Sequence, residues 1–180
     1  MKKLFFATLL LAFVSLGTSL KAQVYEQGQN IIQGGIGFGS AYIGSGLNGG
    51  LPPIHASFEH GLKEKIGVGA LIGYSTAKSN TIPFFGGEYK YSYLVVGARG
   101  AYHFYNEDKI DAYGGLMLGY NIASVKYTGS ANGLTAGNAG GGFAFGAFVG
   151  GRYALTDQLH AFGEVGYSIA WLSVGIGYKL

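Results

Sequence analysis

Between Gly142 and Tyr153 the chain alternates with period two, and that alternation constrains the fold more than any other feature. Phe143, Phe145, Ala147, Val149 and Tyr153 make the odd positions mostly bulky and apolar. The even positions are mostly small and end in Arg152. Only an extended strand sorts such residues onto two unlike faces. Thr156-Asp157-Gln158 supplies a polar turn, and the returning strand puts His160, Phe162, Glu164, Gly166 and Ser168 on one face, with Leu159, Ala161, Val165 and Tyr167 on the other. Arg152 and Glu164 share a side across this turn and are expected to pair. The last strand carries Ala170, Leu172, Val174, Ile176, Tyr178 and Leu180 on one face, with Trp171, Ser173, Gly175, Gly177 and Lys179 opposite.

An unbroken apolar face beside a glycine-rich polar one suits a strand between lipid and a lumen. Composition agrees: charged residues are 12% of the chain, glycines number 34, and beyond residue 22 no apolar run is long enough for a spanning helix. Helices and closed barrels alone satisfy the backbone in lipid, so a helix-free membrane chain is expected to be a barrel. The absence of cysteine excludes disulfides, thiolate metal sites, a cysteine nucleophile and an acylated cysteine anchor. Lys2 and Lys3, an apolar segment from Leu4 to Leu16, and the run to Ala22 have the layout of a secretory signal peptide, so residues 1–22 are expected to be cleaved and 23–180 to form the mature domain. Removing Lys2, Lys3 and Lys21 from twelve basic residues leaves nine, against nine acidic. The basic character of the whole sequence is therefore no argument for nucleic-acid binding.

Eight strands are predicted, in one domain. Those before the closing segment begin near Asn30, Ile54, Ile66, Tyr93 and Ala112, and the connections alternate between long and short. Short turns belong to the periplasmic side of such barrels and long loops to the exterior, which places Gly44–Leu51, Thr76–Glu88 and Ala123–Gly140 outside. Outward aromatics gather at strand ends: Tyr42, Tyr74, Tyr120 and Tyr167 toward the outer interface, Phe104, Tyr153 and Tyr178 toward the inner one, as two aromatic girdles require.

The runs Gly150-Gly151-Arg152-Tyr153, Thr156-Asp157 and Phe162-Gly163-Glu164-Val165-Gly166-Tyr167, with Ser173-Val174-Gly175-Ile176-Gly177-Tyr178-Lys179-Leu180, resemble the small outer-membrane β-barrel family that includes the OmpA transmembrane domain and OmpX-type proteins. The resemblance covers essentially all of Val24–Leu180. It implies an all-β, eight-stranded antiparallel up-and-down transmembrane β-barrel in the outer membrane of a Gram-negative bacterium, among outer-membrane lipids and lipopolysaccharide. It also implies a C-terminal signal for the barrel-assembly machinery at Ser173, Gly175, Tyr178 and Leu180, although Leu180 replaces the usual terminal aromatic. No segment resembles the peptidoglycan-binding domain of longer OmpA-type proteins, so cell-wall anchoring is not expected.

An eight-stranded interior is just wide enough for side chains to fill it. Glu59, Arg99, Arg152 and Glu164 all point inward close to periplasmic turns and are expected to form one lumen charge layer, because an unpaired buried charge is costly. A packed ionic core is the plain reading of that layer, and a switchable gate in a narrow small-solute channel is the alternative. His55, Ser57 and Glu59 share a face and superficially suggest the chemistry of a lipid-modifying enzyme. Same-face neighbours on one strand are about 6.5–7 Å apart, however, too far for a nucleophile and its base, and they face away from lipid. No catalytic residue and no cofactor is expected. His103 and His160 face inward without partners spaced for a metal, Trp171 is expected to plug the outer lumen, and Gly35-Ile36-Gly37-Phe38-Gly39 lacks the following helix a nucleotide loop needs. The expected role is structural or surface-interacting, with Tyr89, Lys90, Tyr91, Lys126 and Tyr127 as exposed groups near the loop bases.

Overall fold

In the computed structural model, which describes residues 23–40, 47–48, 50–79, 87–128 and 137–180, the alternating segments pair into a closed antiparallel ring. Its elements are β1 (Asn30–Ser40), β2 (Leu47–Asn48), β3 (Ile54–Lys63), β4 (Ile66–Ser79), β5 (Glu88–Glu107), β6 (Ile110–Thr128), β7 (Gly137–Ala154), β8 (Leu159–Tyr167) and β9 (Ala170–Lys179). Eight of them form the wall. β2 is a two-residue addition whose Leu47 and Asn48 pair with Ser79 and Lys78 of β4. Each wall strand pairs with its neighbour in sequence, and β1 with β9 closes the ring. Registered partners followed from Asn30 through His60, Val68, Gly100, Leu116 and Ala147 to Tyr167, across the turn to Ala170, return to β1 at Ser40. That stagger of ten residues, Asn30 to Ser40, tilts the strands and sets the bore.

The two faces of the wall are inverted relative to a soluble protein. Ile32, Ile36, Phe58, Ile72, Leu116, Leu118, Val165 and Ile176 point outward and exposed, while Gln33, Glu59, Asp111, Arg152 and Glu164 are buried inside. A soluble lipid-binding barrel would have the opposite polarity. Tyr74, Tyr120 and Tyr167 point outward in the part of the wall toward the long connections, and Phe104, Tyr153 and Tyr178 point outward near the short-turn ends. Tyr42 and the leader fall outside the described residues, as do the middles of the long connections.

Three features depart from the sequence reading. Parts of the segments expected as loops are strand: β4 continues through Ser79, β6 through Thr128, and β7 already begins at Gly137. Beyond the membrane both faces of a strand meet water, so the Lys, Ser, Thr and Gly found there carry no apolar period while ladder pairing persists out to Glu88 and Thr128. Tyr127, expected exposed, is buried against the Tyr89 ring.

Trp171 is 54% exposed instead of plugging the lumen, and Ala170 is inside instead of outside. The pairing of β1 with β9 skips a step between Phe38–Leu172 and Ser40–Ala170, opposite Gly39, whose φ is +66°. Trp171 and Leu172 therefore both face outward, and the Trp171 ring lies where a side chain on residue 39 would stand, its Cδ1 atom 2.8 Å from that Cβ position. The turn at Ser168 and Ile169 folds inward, so Ile169 takes the plugging role. A side chain on Gly73 would collide with it.

Because Gly39 combines a left-handed backbone with contact to Trp171, Gly39→Val is expected to destabilise the barrel by about 1–3 kcal/mol. Equilibrium urea unfolding in lipid vesicles, followed by fluorescence of the single tryptophan, measures this.

Candidate functional site in the barrel lumen

On β5 and β7 the inward residues run in the same vertical order, charged toward the periplasmic end and apolar toward the exterior. Along β5 the order is His103, Arg99, Val95; along β7 it is Arg152, Phe148, Ala144. The lumen is closed at three levels, two of them built by these inward sets.

The outermost is apolar. Leu71, Val95, Met117, Ala144, Ile169 and Ala170 form one buried cluster across the bore. Below it, Arg99 Nη2 meets Glu164 Oε1 at 2.6 Å, Tyr113 donates its hydroxyl to the same oxygen at 2.9 Å, and the Arg99 guanidinium lies 3.9 Å above the Phe148 ring. Nearer the periplasm, Arg152 donates to Glu59 Oε2 at 2.8 Å, to Asp111 Oδ2 at 3.1 Å and to Gln33 Oε1 at 3.0 Å. His103 sets Nδ1 2.8 Å from Asp111 and Nε2 3.2 Å from Glu59. Tyr113 separates these two cells. Its ring lies 4.3 Å under the Arg152 guanidinium, while its hydroxyl serves Glu164.

The four residues expected as one layer thus stand in two cells, and Arg152 does not pair with Glu164. The β7–β8 register explains the difference. Arg152 lies opposite Phe162, and Glu164 opposite Gly150, so the two charges are displaced along the wall, and the long arginine reaches across the bore to Glu59 and Asp111 instead. Period two alone places Asp111 inside, next to the outward-phase Ala112, so Asp111 joins the inward charges that the sequence reading did not include. Tyr113 follows by the same rule. Period two also points Gln33 inward, but its bond to Arg152 depends on packing.

The third closure lies outside any strand. The segment from Gln23 to Gln29 crosses the periplasmic mouth and buries Val24 and Tyr25. Tyr25 stacks on His103, with centroids 3.5 Å apart and planes 13° off parallel, and donates its hydroxyl to the Lys63 carbonyl at 2.9 Å. Asn106 donates to the Tyr25 carbonyl at 2.7 Å, and Lys179 to the Gln23 carbonyl at 2.5 Å. No pattern announces such a strap in sequence, since its residues follow no period.

The remaining candidates do not assemble a reactive site. Glu59 is engaged by Arg152, and both ring nitrogens of His55 are buried without a hydrogen-bond partner, so no Ser57–His55–Glu59 relay exists. His103 belongs to the lower cell, whereas His160 Nε2 lies 3.4 Å from Gln33 Nε2. Among the described residues no three ligating side chains are grouped for a metal.

A closed antiparallel ring with apolar residues outside and paired ions inside has the architecture of the small outer-membrane β-barrels. The N-terminal barrel domain of Pseudomonas aeruginosa OprF is similar at a TM-score of 0.58 and 12% identity, covering 87% of this chain and 100% of that one. Yersinia pestis Ail, in complex with the heparin analogue sucrose octasulfate, is similar at 0.52 and 12% identity, with 84% and 97% covered. Pseudomonas aeruginosa OprG is similar at 0.51 and 11% identity, with 87% and 97% covered. No family model matches the sequence, and no curated protein is similar to it. At these identities the likeness establishes the fold.

Removing Arg152 leaves Glu59 and Asp111 facing each other, so Arg152→Ala is expected to cost about 3–5 kcal/mol in urea unfolding. In double-mutant cycles Arg99 and Glu164 are expected to couple by about 0.5–3 kcal/mol, and Arg152 and Glu164 to be additive within about 0.5 kcal/mol. Burial first, then the nearby carboxylates of Glu59 and Asp111, push the Tyr25 phenol up to about 12. A raised folded-state value favours the docked strap below pH 10 and withdraws that contribution as pH rises from about 10 toward 12. Limited proteolysis at residues 23–29 is expected to accelerate across that window, and Tyr25→Phe to flatten the change.

Proposed function

We propose that this chain is an integral outer-membrane protein of a Gram-negative envelope, delivered by the cleaved leader 1–22, with a non-enzymatic, structural and surface-interaction role. The observation that carries this reading is the triple closure of the lumen by the Leu71–Ile169 cluster, the two ion cells and the Tyr25 strap. A bore packed in this way leaves the exterior as the part available to act.

The exterior is lopsided in a way that suits contact. β5 and β6 run for 20 and 19 residues, whereas β8 and β9 run for 9 and 10 and join in a tight turn. β8 pairs with β7 only from Ala147 to Ala154, so among the described residues β7 has no strand beside it on that flank from Gly137 to Gly146. Phe143, 93% exposed, lies on this flank. A tall sheet ending in an open edge can accept an added strand from an extracellular polypeptide. On β9, Ser173 and Gly175 face the lumen, and Tyr178 and Leu180 face outward, in keeping with an assembly signal displayed on that strand before closure.

Single-channel recording of refolded 23–180 in a planar bilayer tests the reading. Silence is expected from the wild type. Reproducible openings that respond to Glu59→Ala or Arg152→Ala would replace it with the narrow-channel alternative.

A further inference from the structure

Three lysines stand side by side on the outer wall. The register sets Lys78 of β4 opposite Lys90 of β5, and Lys90 opposite Lys126 of β6. All three fall in the phase of the lipid-facing residues: Lys78 is four positions beyond Tyr74, Lys90 four before Leu94, and Lys126 six beyond Tyr120. Neighbouring strands are about 4.8 Å apart, so the three stems leave the sheet in one row. Like charges directly opposite each other destabilise a sheet. One carboxylate offsets part of that repulsion, Glu88 at 2.6 Å from Lys78. Among the described residues no carboxylate forms an ion pair with Lys90 or Lys126.

The height and direction of the row identify the compensating charge. Four to six residues along strands tilted by about 40° raise it roughly 10–15 Å above the outer tyrosines, beyond the hydrocarbon and level with headgroups. The row stands within three residues of the strand ends, and its side chains project from the outer face of the wall, toward neighbouring bilayer molecules. We propose that Lys78, Lys90 and Lys126 form a binding row for the phosphate groups of a phosphorylated glycolipid in the outer leaflet, a lipopolysaccharide headgroup being the fitting class. A phosphate seated between Lys90 and Lys126 accepts charge-assisted hydrogen bonds from both and turns their repulsion into attraction. The assignment rests on the proposed outer-membrane orientation and gives the surface-interaction role a named partner.

The test uses refolded 23–180 in phosphatidylcholine nanodiscs titrated with three probes: deep-rough lipopolysaccharide, the same material stripped of phosphate, and sucrose octasulfate. Wild type is expected to bind the intact glycolipid about tenfold more tightly than K90Q/K126Q does, with K90R/K126R staying within about twofold of wild type. The stripped glycolipid is expected to bind wild type as weakly as the intact one binds K90Q/K126Q. These positions are outside the packed lumen, and an unchanged gel-mobility shift on heating confirms that each variant is folded. Equal glycolipid affinity for wild type and K90Q/K126Q overturns the proposal, as does equal affinity for the stripped probe. Loss of sucrose octasulfate binding alone in K90Q/K126Q would reassign the row to a soluble polyanion. A conducting barrel with an intact lysine effect would defeat the packed-lumen reading and leave this one standing.

Discussion

Backbone hydrogen bonding in hydrocarbon is the constraint from which the rest of this structure follows. An amide or carbonyl left unpaired in lipid costs several kcal/mol, so a sheet can enter the bilayer only as a ring without edges. The β1–β9 pairing from Ile31–Lys179 to Ser40–Ala170 meets that requirement, and its stagger fixes how wide the bore is. Where the wall leaves the membrane the constraint lapses. There the ring opens, with β7 rising past the last residue of β8.

A ring of this size imposes a second demand, on volume. The lumen is filled with Arg152, Tyr113, Phe148, Met117 and His103, and large side chains fit only where small residues face them. Gly150 lies against the Tyr113 ring and Gly67 against the Glu59 carboxyl, so the inward glycines are the complement of the inward ions. Charge and packing are therefore a single problem here. Tyr113 shows this most directly: one side chain stacks beneath a guanidinium in one cell and donates to a carboxylate in the other.

Period two made the ring legible in the sequence, along with strand number and most of the inward set within the described residues. Its reach ended where its cause ended. Beyond the hydrocarbon no face is selected for lipid tails, and Glu88 and Ala123–Thr128 read as loop although they pair. The phase break at Gly39 was invisible because a glycine in a strand looks alike whether its φ is negative or positive. Within the lumen, alternation showed which residues point inward but not how far a side chain reaches. Arg152 joins partners on β3 and β6, not the carboxylate nearest to it in the sequence pattern. The strap of Gln23–Gln29 has neither period nor composition to mark it.

Seven of the eight seams in this wall join strands adjacent in sequence, and one joins the first strand to the last. Hairpins close quickly because little chain entropy is spent, whereas Ile31 must find Lys179 across nearly the whole domain. Until it does, the molecule is an open sheet with two bare margins and its ions half assembled, since Gln33 of β1 is a partner of Arg152. The Tyr25 strap lies against His103 of β5 and reaches Lys179 of β9, so the earliest described residues can take their final place only after the last strand has arrived. Completion is thus a single late event, and the stopper at the periplasmic mouth is both its product and its seal.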